Sequence, residues 1–476
     1  MLRRRLPHVR SRCSFRHQLE PQGSDGSGKW RAKEHRLRGD SQQSLVESSS
    51  ISPPSRDRIF FPGLNLVRAY AALSVVAWHQ KQFQILYHIP IADRFLETLS
   101  RIFLRGDDAV MLFFVLSGFL ITYLLLAEHR RTGTIAVRKF YVRRILRIWP
   151  LYYLLVVLGF LVLPLCVGWK HYPFNYHESS FIPRLICYLL LIPNVAYTLW
   201  PGATAFGAIP IAHLWSIGVE EQFYLLWPAL LKGLMRWILW LIFAVIAIKA
   251  ALYWCEAYYQ HATHNWRRGA YPEKLRHFFE FLSLLRLDCM AIGGLAAYIA
   301  FHVRGVARRI IYHPATALLV LAGFGYVVIS EFRPAGLSGP YVGMLVVALY
   351  AAVILCAAGN PGLSPKWIPW PLDFLGRISY GIYMYHVPVL FCLVVTLQKN
   401  HATWHTGMTI KKINHRLKYF APAVASGWRN VALFSLVVAI TIAVATISFY
   451  GFETPFLRLK RRYTVVPSGS PDVAHV

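Results

Sequence analysis

Acidic residues are scarce in this sequence, with 22 Asp and Glu against 51 Lys and Arg over 476 residues, a formal charge of +29. Such an excess can mark a nucleic-acid binder. Here the cations fall mainly in short segments between apolar runs, which is what the positive-inside rule requires and which argues against nucleic acid as a partner. Cysteine is sparse as well. Six of the seven, Cys166, Cys187, Cys255, Cys289, Cys356 and Cys392, stand singly in or beside apolar runs. With no CxxC pair and no metal-ligand spacing, neither a disulfide framework nor a zinc site is indicated. There is no Walker A loop, GxGxxG, HExxH or kinase signature, so ATP, nicotinamide and metal chemistry have no positive support. Residues 1–57 lack any long apolar run and are rich in Arg, Ser, Gln and Gly. They are expected to be a disordered basic tail without the apolar region of a cleavable signal peptide. No internal repeat is evident.

What is abundant is apolar side chain: 56% hydrophobic and 15% aromatic residues, with a mean hydropathy of +0.40. That composition predicts an all-α, polytopic transmembrane helical bundle. Candidate membrane helices lie near 62–82, 109–127, 149–168, 181–199, 213–231, 236–255, 283–303, 314–330, 340–358, 378–398 and 430–450. The 128–147 segment holds seven Lys/Arg against one Glu and is expected to be cytoplasmic. If all eleven segments crossed, the cluster Arg304, Arg308 and Arg309 and the tail Arg458, Lys460, Arg461 and Arg462 would face outside. About ten crossings, with 213–231 or its neighbour re-entrant or tilted, bring both inside while placing the basic 399–429 loop outside.

Several polar constellations interrupt the apolar runs. In NLVRAYAALSVVAWH the eleven-residue step from Arg68 to His79 is close to three turns, placing both on one face about 16 Å apart. A membrane charge of this kind is a functional-site hypothesis, against which stand a snorkelling arginine and a satisfied helix-end histidine. Arg143, Arg144 and Arg147 share one face, suited either to an anionic lipid headgroup or to the phosphates of a nucleotide-like cofactor. Ser117-Gly118 lacks the GxSxG context of a nucleophile and reads as a close-packing pair. In HLWSIGVEEQFYLLWP, Ser216 and Glu220 share a face and Glu221 turns about 100° away. These glutamates can orient a histidine, carry a proton, or form an ion pair with Arg68 or Arg286. Arg286 and Asp288 require partners on other helices. Ser379, Tyr383 and His386 form one stripe, followed by Pro388 and an expected kink, and suit substrate contact or helix packing equally.

Taken in order, these stretches resemble the acyltransferase-3 family, integral membrane O-acyltransferases that modify envelope sugars, glycolipids and antibiotics. Arg68 and His79 fit its Arg-ten-residues-His pattern, and LFFVLSGFLIT, FYVRRILRIWPLYYL, LWSIGVEEQFYLLWP, LRLDCMAIGGLAA, ISYGIYMYHVP and FETPFLRLKRR resemble its further motifs. The resemblance spans about 58–462, taken as the membrane acyltransferase domain, with 463–476 as a disordered C-terminal tail. Where the family often has an acidic residue before LFF, this chain has Met111, with Asp107 and Asp108 one turn earlier. The absence of a fused esterase-like domain after 462 implies that any acyl hand-off finishes on the membrane domain or on a separate protein.

The resemblance implies a multi-pass protein of the cell membrane, most naturally a bacterial inner membrane. It would transfer an acyl group, most simply acetyl, from cytoplasmic acyl-CoA to a hydroxyl of a sugar or glycolipid. No permanently bound cofactor is implied; acyl-CoA is a co-substrate, and membrane lipids are the surroundings. Arg143, Arg144 and Arg147 would clamp the CoA phosphates. His79, whose unperturbed pKa is about 6.5, would take the hydroxyl proton. Glu220 or Glu221 would orient His79, and Arg68 would stabilise the thioester or its oxyanion. Ser216, Arg286, Asp288, Tyr383 and His386 would contact substrate. Direct attack and a transient acyl-histidine both suit one histidine. The competing readings are a transporter or flippase of lipid-linked sugars without chemistry, and a membrane scaffold for a glycosyltransferase.

Overall fold

A computed structural model describes residues 59–86, 93–167, 178–200, 209–262, 273–329, 340–359, 368–403 and 427–468. The chain divides into two units, Met1–Arg56 and Asp57–Val476, and every described residue lies in the second. The expected tail at 1–57, the end of the chain at 469–476 and most of the 399–429 loop lie outside the described residues.

Among the described residues the only β pairing is an isolated bridge between Ile59 and Ser468. Everything else regular is helix: α1 Gly63–Leu86, α2 Asp93–Ile102, α3 Gly106–Thr132, α4 Val137–Val157, α5 Leu163–Val167, α6 Phe181–Leu189, α7 Pro193–Leu199, α8 Trp215–Leu234 and α9 Ile238–Ala262. Then follow α10 Glu273–Leu284, α11 Leu287–His302, α12 Gly305–Ile311, α13 Pro314–Ile329, α14 Pro340–Gly359, α15 Trp370–Arg377, α16 Ser379–Thr403, α17 Gly427–Ser448 and α18 Thr454–Arg461. Five continuous helical stretches, Gly106–Thr132, Val137–Cys166, Ala212–Tyr258, His277–His302 and Asn430–Arg461, are long and apolar enough to cross a membrane. A sixth arises if α12 and α13, bent by 44°, count as one.

The eleven expected segments each coincide with helix, but 181–199 is not one span. It breaks between α6 and α7, where Leu191 takes φ 61° and Pro193 opens the next helix, leaving pieces of 9 and 7 residues. Neither reaches the roughly 20 residues that span a hydrocarbon core. A second correction concerns the C-terminal boundary. Residues 463–468 are not a free tail, because Val466 is buried and Ile59 N–H donates to Pro467 O at 2.9 Å.

The core is built on α3 against α11. A Cβ at Gly118 would collide with the Met290 carbonyl, and one at Gly293 with the Val115 carbonyl, so glycine on both sides lets the two backbones touch. Side-chain contacts gather the basic segments at one end of this bundle. Arg143 Nη1 donates to Tyr463 O at 2.9 Å, Arg130 lies over Phe301 at 4.4 Å, and Asn65 Nδ2 donates to Asp373 Oδ1 at 2.7 Å. Through these contacts the 128–147 segment, the Arg304–Arg309 cluster at the end of α11 and the chain after α18 share that arginine end. His79, about one and a half turns along α1 from Ser74, which accepts from Leu104 N–H at 3.3 Å, approaches the other end.

Candidate active site

Three histidines from three segments meet inside the bundle. His79 on α1, His213 in the 3-10 turn before α8 and His386 on α16 are all buried. His386 Nε2 lies 3.0 Å from His79 Nδ1, and the His386 ring centre stands 4.9 Å from those of His79 and His213. Their placement follows from the proline in the SYGIYMYHVP stretch. Pro388 has no N–H for the carbonyl four residues back, so Met384 O is released from the helix ladder. His213 Nε2 takes that carbonyl at 3.1 Å. Tyr383 OH donates to His213 O at 3.0 Å and lies 2.6 Å from Ser216 Oγ. Ser216, Tyr383 and His386, drawn from two motifs, therefore stand together beside His79. Ser379 leaves the expected stripe, its hydroxyl donating to Gly376 O at 2.9 Å.

Toward the arginine end, Glu220 accepts from Ser117 Oγ at 2.9 Å and from Tyr224 OH at 2.7 Å, and Arg144 lies over the Tyr224 ring at 5.3 Å. Arg68, Arg144 and Arg147 are within electrostatic reach of one another, and Lys460 of α18 joins Arg144 and Arg147. Arg68 is steadied by Asn65 Oδ1 at 2.8 Å, Asn65 by Asp373, and Asp373 by an ion pair with Arg377. So many cations gathered around one place, with Arg68, Arg144 and Lys460 half-buried and Arg147 exposed, call for an anion. Buried Arg144 Nε and Glu221 Oε1 have no hydrogen-bond partner among the described residues. Such atoms await a ligand or water.

Residues 61–450 match the family described as Acyltransferase domain. The chain belongs to that acyltransferase-3 family. Among curated relatives it is 25% identical over 423 residues to Peptidoglycan O-acetyltransferase OatA of Listeria monocytogenes, covering 84% of this chain and 56% of that protein. It is 28% identical over 359 residues to the Putative peptidoglycan O-acetyltransferase YrhL of Bacillus subtilis, covering 73% and 51%. It is 27% identical over 349 residues to O-acetyltransferase OatA of Staphylococcus aureus, covering 70% and 51%. The chain thus spans about half the length of these relatives. No solved structure matches it.

Within this acyltransferase-3 domain, two expected pairings are not formed. Glu220 and Glu221 do not orient His79: Glu220 is held by Ser117 and Tyr224, Glu221 accepts from Trp149 Nε1 at 3.1 Å, and both belong to the arginine half. The helical spacing of Ser216 and Glu220 fixed a shared face but not which half of the bundle each meets. Nor does Glu220 or Glu221 form an ion pair with Arg68 or Arg286; Glu220 takes its hydrogen bonds from neutral hydroxyls. Arg143, although still within electrostatic reach of Arg144, is held in an ion pair with buried Glu128 at 3.2 Å. Glu128 also accepts from Ala136 N–H at 2.7 Å, so this contact closes the turn between α3 and α4. Arg286 and Asp288 stand apart from the histidines. Arg286 donates to Tyr253 OH of α9 at 2.8 Å, Asp288 faces Lys249, and Asp288 Oδ1 has no hydrogen-bond partner among the described residues. Met111 is buried apolar, while Asp107 lies within electrostatic reach of Arg286.

His213, Tyr224 and Lys460 were not singled out by the sequence. His213 carried a signal, since it opens the motif that holds Ser216 and the glutamates. Tyr224 and Lys460 likewise lie inside the LWSIGVEEQFYLLWP and FETPFLRLKRR motifs, which marked their segments but not these side chains. Among the described residues no group of three or more His, Cys, Asp or Glu is arranged to hold a metal ion.

Proposed function

We propose that this chain is a multi-pass membrane O-acetyltransferase, using acyl-CoA at the arginine end and acylating a hydroxyl of a cell-wall or envelope sugar at the histidine end. The observation that carries the reading is the line of buried polar side chains between the two ends. Hydrogen bonds and ring contacts run from Arg144 through Tyr224 to Glu220 and Ser117 in one half, and from Ser216 and Tyr383 through His213 and His386 to His79 in the other, with Glu220 within electrostatic reach of Tyr383 between them. The relatives' names supply the acetyl group and the cell-wall acceptor. Arg144 and Arg147, with Arg68 behind them, present guanidinium groups suited to phosphate oxygens. A flexible donor arm passing inward would reach His79, which acts as general base on the acceptor hydroxyl.

Ten crossings with α6 and α7 re-entrant fit the shared arginine end of the 128–147 segment, the 304–309 cluster and the chain after α18. The positive-inside rule then puts that end in the cytoplasm and the protein in a bacterial inner membrane.

The test is transfer of labelled acetyl from acetyl-CoA to endogenous envelope acceptor in membranes. His79→Gln keeps a polar side chain but cannot act as a base, and is expected to lower transfer on the order of 10²–10⁴-fold with normal insertion and donor binding. Wild-type turnover in His79→Gln would falsify the assignment.

A further inference from the structure

The contacts of the histidine pair fix where its protons lie. His386 Nδ1 is 2.5 Å from the carbonyl of Tyr383, and a carbonyl oxygen only accepts, so Nδ1 of His386 carries the hydrogen and its Nε2 the lone pair. His79 Nδ1 is 3.0 Å from the carbonyl of Val75, which by the same reasoning puts a hydrogen on Nδ1. That hydrogen also points at His386 Nε2, 3.0 Å away. The donor is shared between a carbonyl and an imidazole, and the neutral His79 is left with its lone pair on Nε2.

We propose that His386 is the positioning residue of the reaction: its Nε2 accepts from His79 Nδ1, holding His79 in the tautomer whose Nε2 removes the hydroxyl proton. The inference rests on the reading of His79 as the base. The acceptor oxygen bonds to the acyl carbon as its proton passes to His79 Nε2. The carbon–sulfur bond of the thioester breaks, and the departing sulfur takes that proton, so the pair returns to its starting state. In between, His79 is an imidazolium, and its Nδ1–H bond to His386 becomes charge-assisted and stronger. A backbone carbonyl and a neutral imidazole thus do here what a carboxylate does elsewhere. The arrangement suits a buried site, because it adds no second permanent charge to desolvate. His386 is itself fixed by its place two residues before Pro388. Among the described residues, the titratable side chains in ring contact with His386 besides His79 are His213, at 4.9 Å, and Tyr383, at 5.6 Å.

Two variants separate acceptance of a hydrogen bond from mere packing. His386→Gln keeps an oxygen that can accept from His79 Nδ1, whereas His386→Leu fills space without accepting. In the labelled-acetyl assay, His386→Leu is expected to lower kcat on the order of 10²-fold, the scale of a misplaced reacting group. KM for acetyl-CoA should stay unchanged and the Gln variant should remain within about tenfold of wild type. A packing role predicts the reverse order, so Leu equal to or better than Gln overturns the proposal. In wild-type protein carrying ¹⁵N-labelled histidine, imidazole shifts are expected to show neutral His79 and His386 both protonated on Nδ1. A proton on His79 Nε2 in the resting state sinks the inference even if neither variant folds. The two readings fail separately. An active His79→Gln removes the base and this proposal with it, whereas an inactive His79→Gln beside a fully active His386→Leu removes the pairing alone.

Discussion

Arg143 and Arg144 are neighbours in sequence with opposite employment. Arg143 is committed to Glu128, a carboxylate with 2% of its side-chain surface exposed. Removing one partner of a buried pair leaves an uncompensated charge, so Arg143→Ala is expected to cost about 3 kcal/mol, the lower end of the range for such pairs. It should appear as a lower melting temperature in detergent with unchanged donor KM. Arg144 has an unfilled Nε and stacks between Phe140 and Tyr224 at 5.2 and 5.3 Å. Arg144→Ala should instead weaken acetyl-CoA binding by about 1.5–3 kcal/mol, the loss of one charge-assisted contact, with little change in melting. Donor binding as tight as wild type in Arg144→Ala would return Arg144 to the role of a lipid anchor.

At the scale of elements, two devices position the line of buried polar side chains. The first is the glycine contact between α3 and α11. Gly293→Leu sets a side chain against the Val115 carbonyl, which cannot swing aside as a side chain can. Overpacking of this kind costs about 1–3 kcal/mol or more, and the expected result is poor accumulation or a clear fall in melting temperature; a variant as stable as wild type would mean that the helices are not in backbone contact. The second device is Pro388. Pro388→Ala restores an N–H able to reclaim Met384 O, in competition with His213 Nε2. Turnover is expected to fall on the order of tenfold while melting temperature holds or rises, since proline in a helix interior costs about 3 kcal/mol. Unchanged turnover would show that His213 does not need that carbonyl.

For the whole molecule, the prediction is one of sidedness. In a background whose exposed Cys166, Cys255 and Cys392 are replaced by Ala, single cysteines at exposed Arg138 and Tyr463 should react with impermeant maleimide only from the cytoplasmic side. A cysteine at exposed Arg101, which ends α2 near the histidine end, should react only from outside. Labelling of Arg138 and Tyr463 from opposite sides would contradict the contact between Arg143 and Tyr463 O as well as the ten-crossing arrangement.

The sequence by itself determined the class, the helices and the family. Runs of about 20 apolar residues in a chain this hydrophobic have few alternatives to membrane helix, because backbone groups in lipid must be paired within the segment. Helical spacing also put Arg68 with His79 on one face, and Ser216 with Glu220, because such relations depend only on 3.6 residues per turn. What spacing along one helix does not contain is the partner on the next. That His79 faces His386 rather than a glutamate, and that Arg143 faces Glu128 rather than a phosphate, were decided by tertiary packing. The two contacts join residues 307 and 15 positions apart. Only the packed bundle brings them together, through the backbone contact of α3 with α11 and the carbonyl that Pro388 sets free.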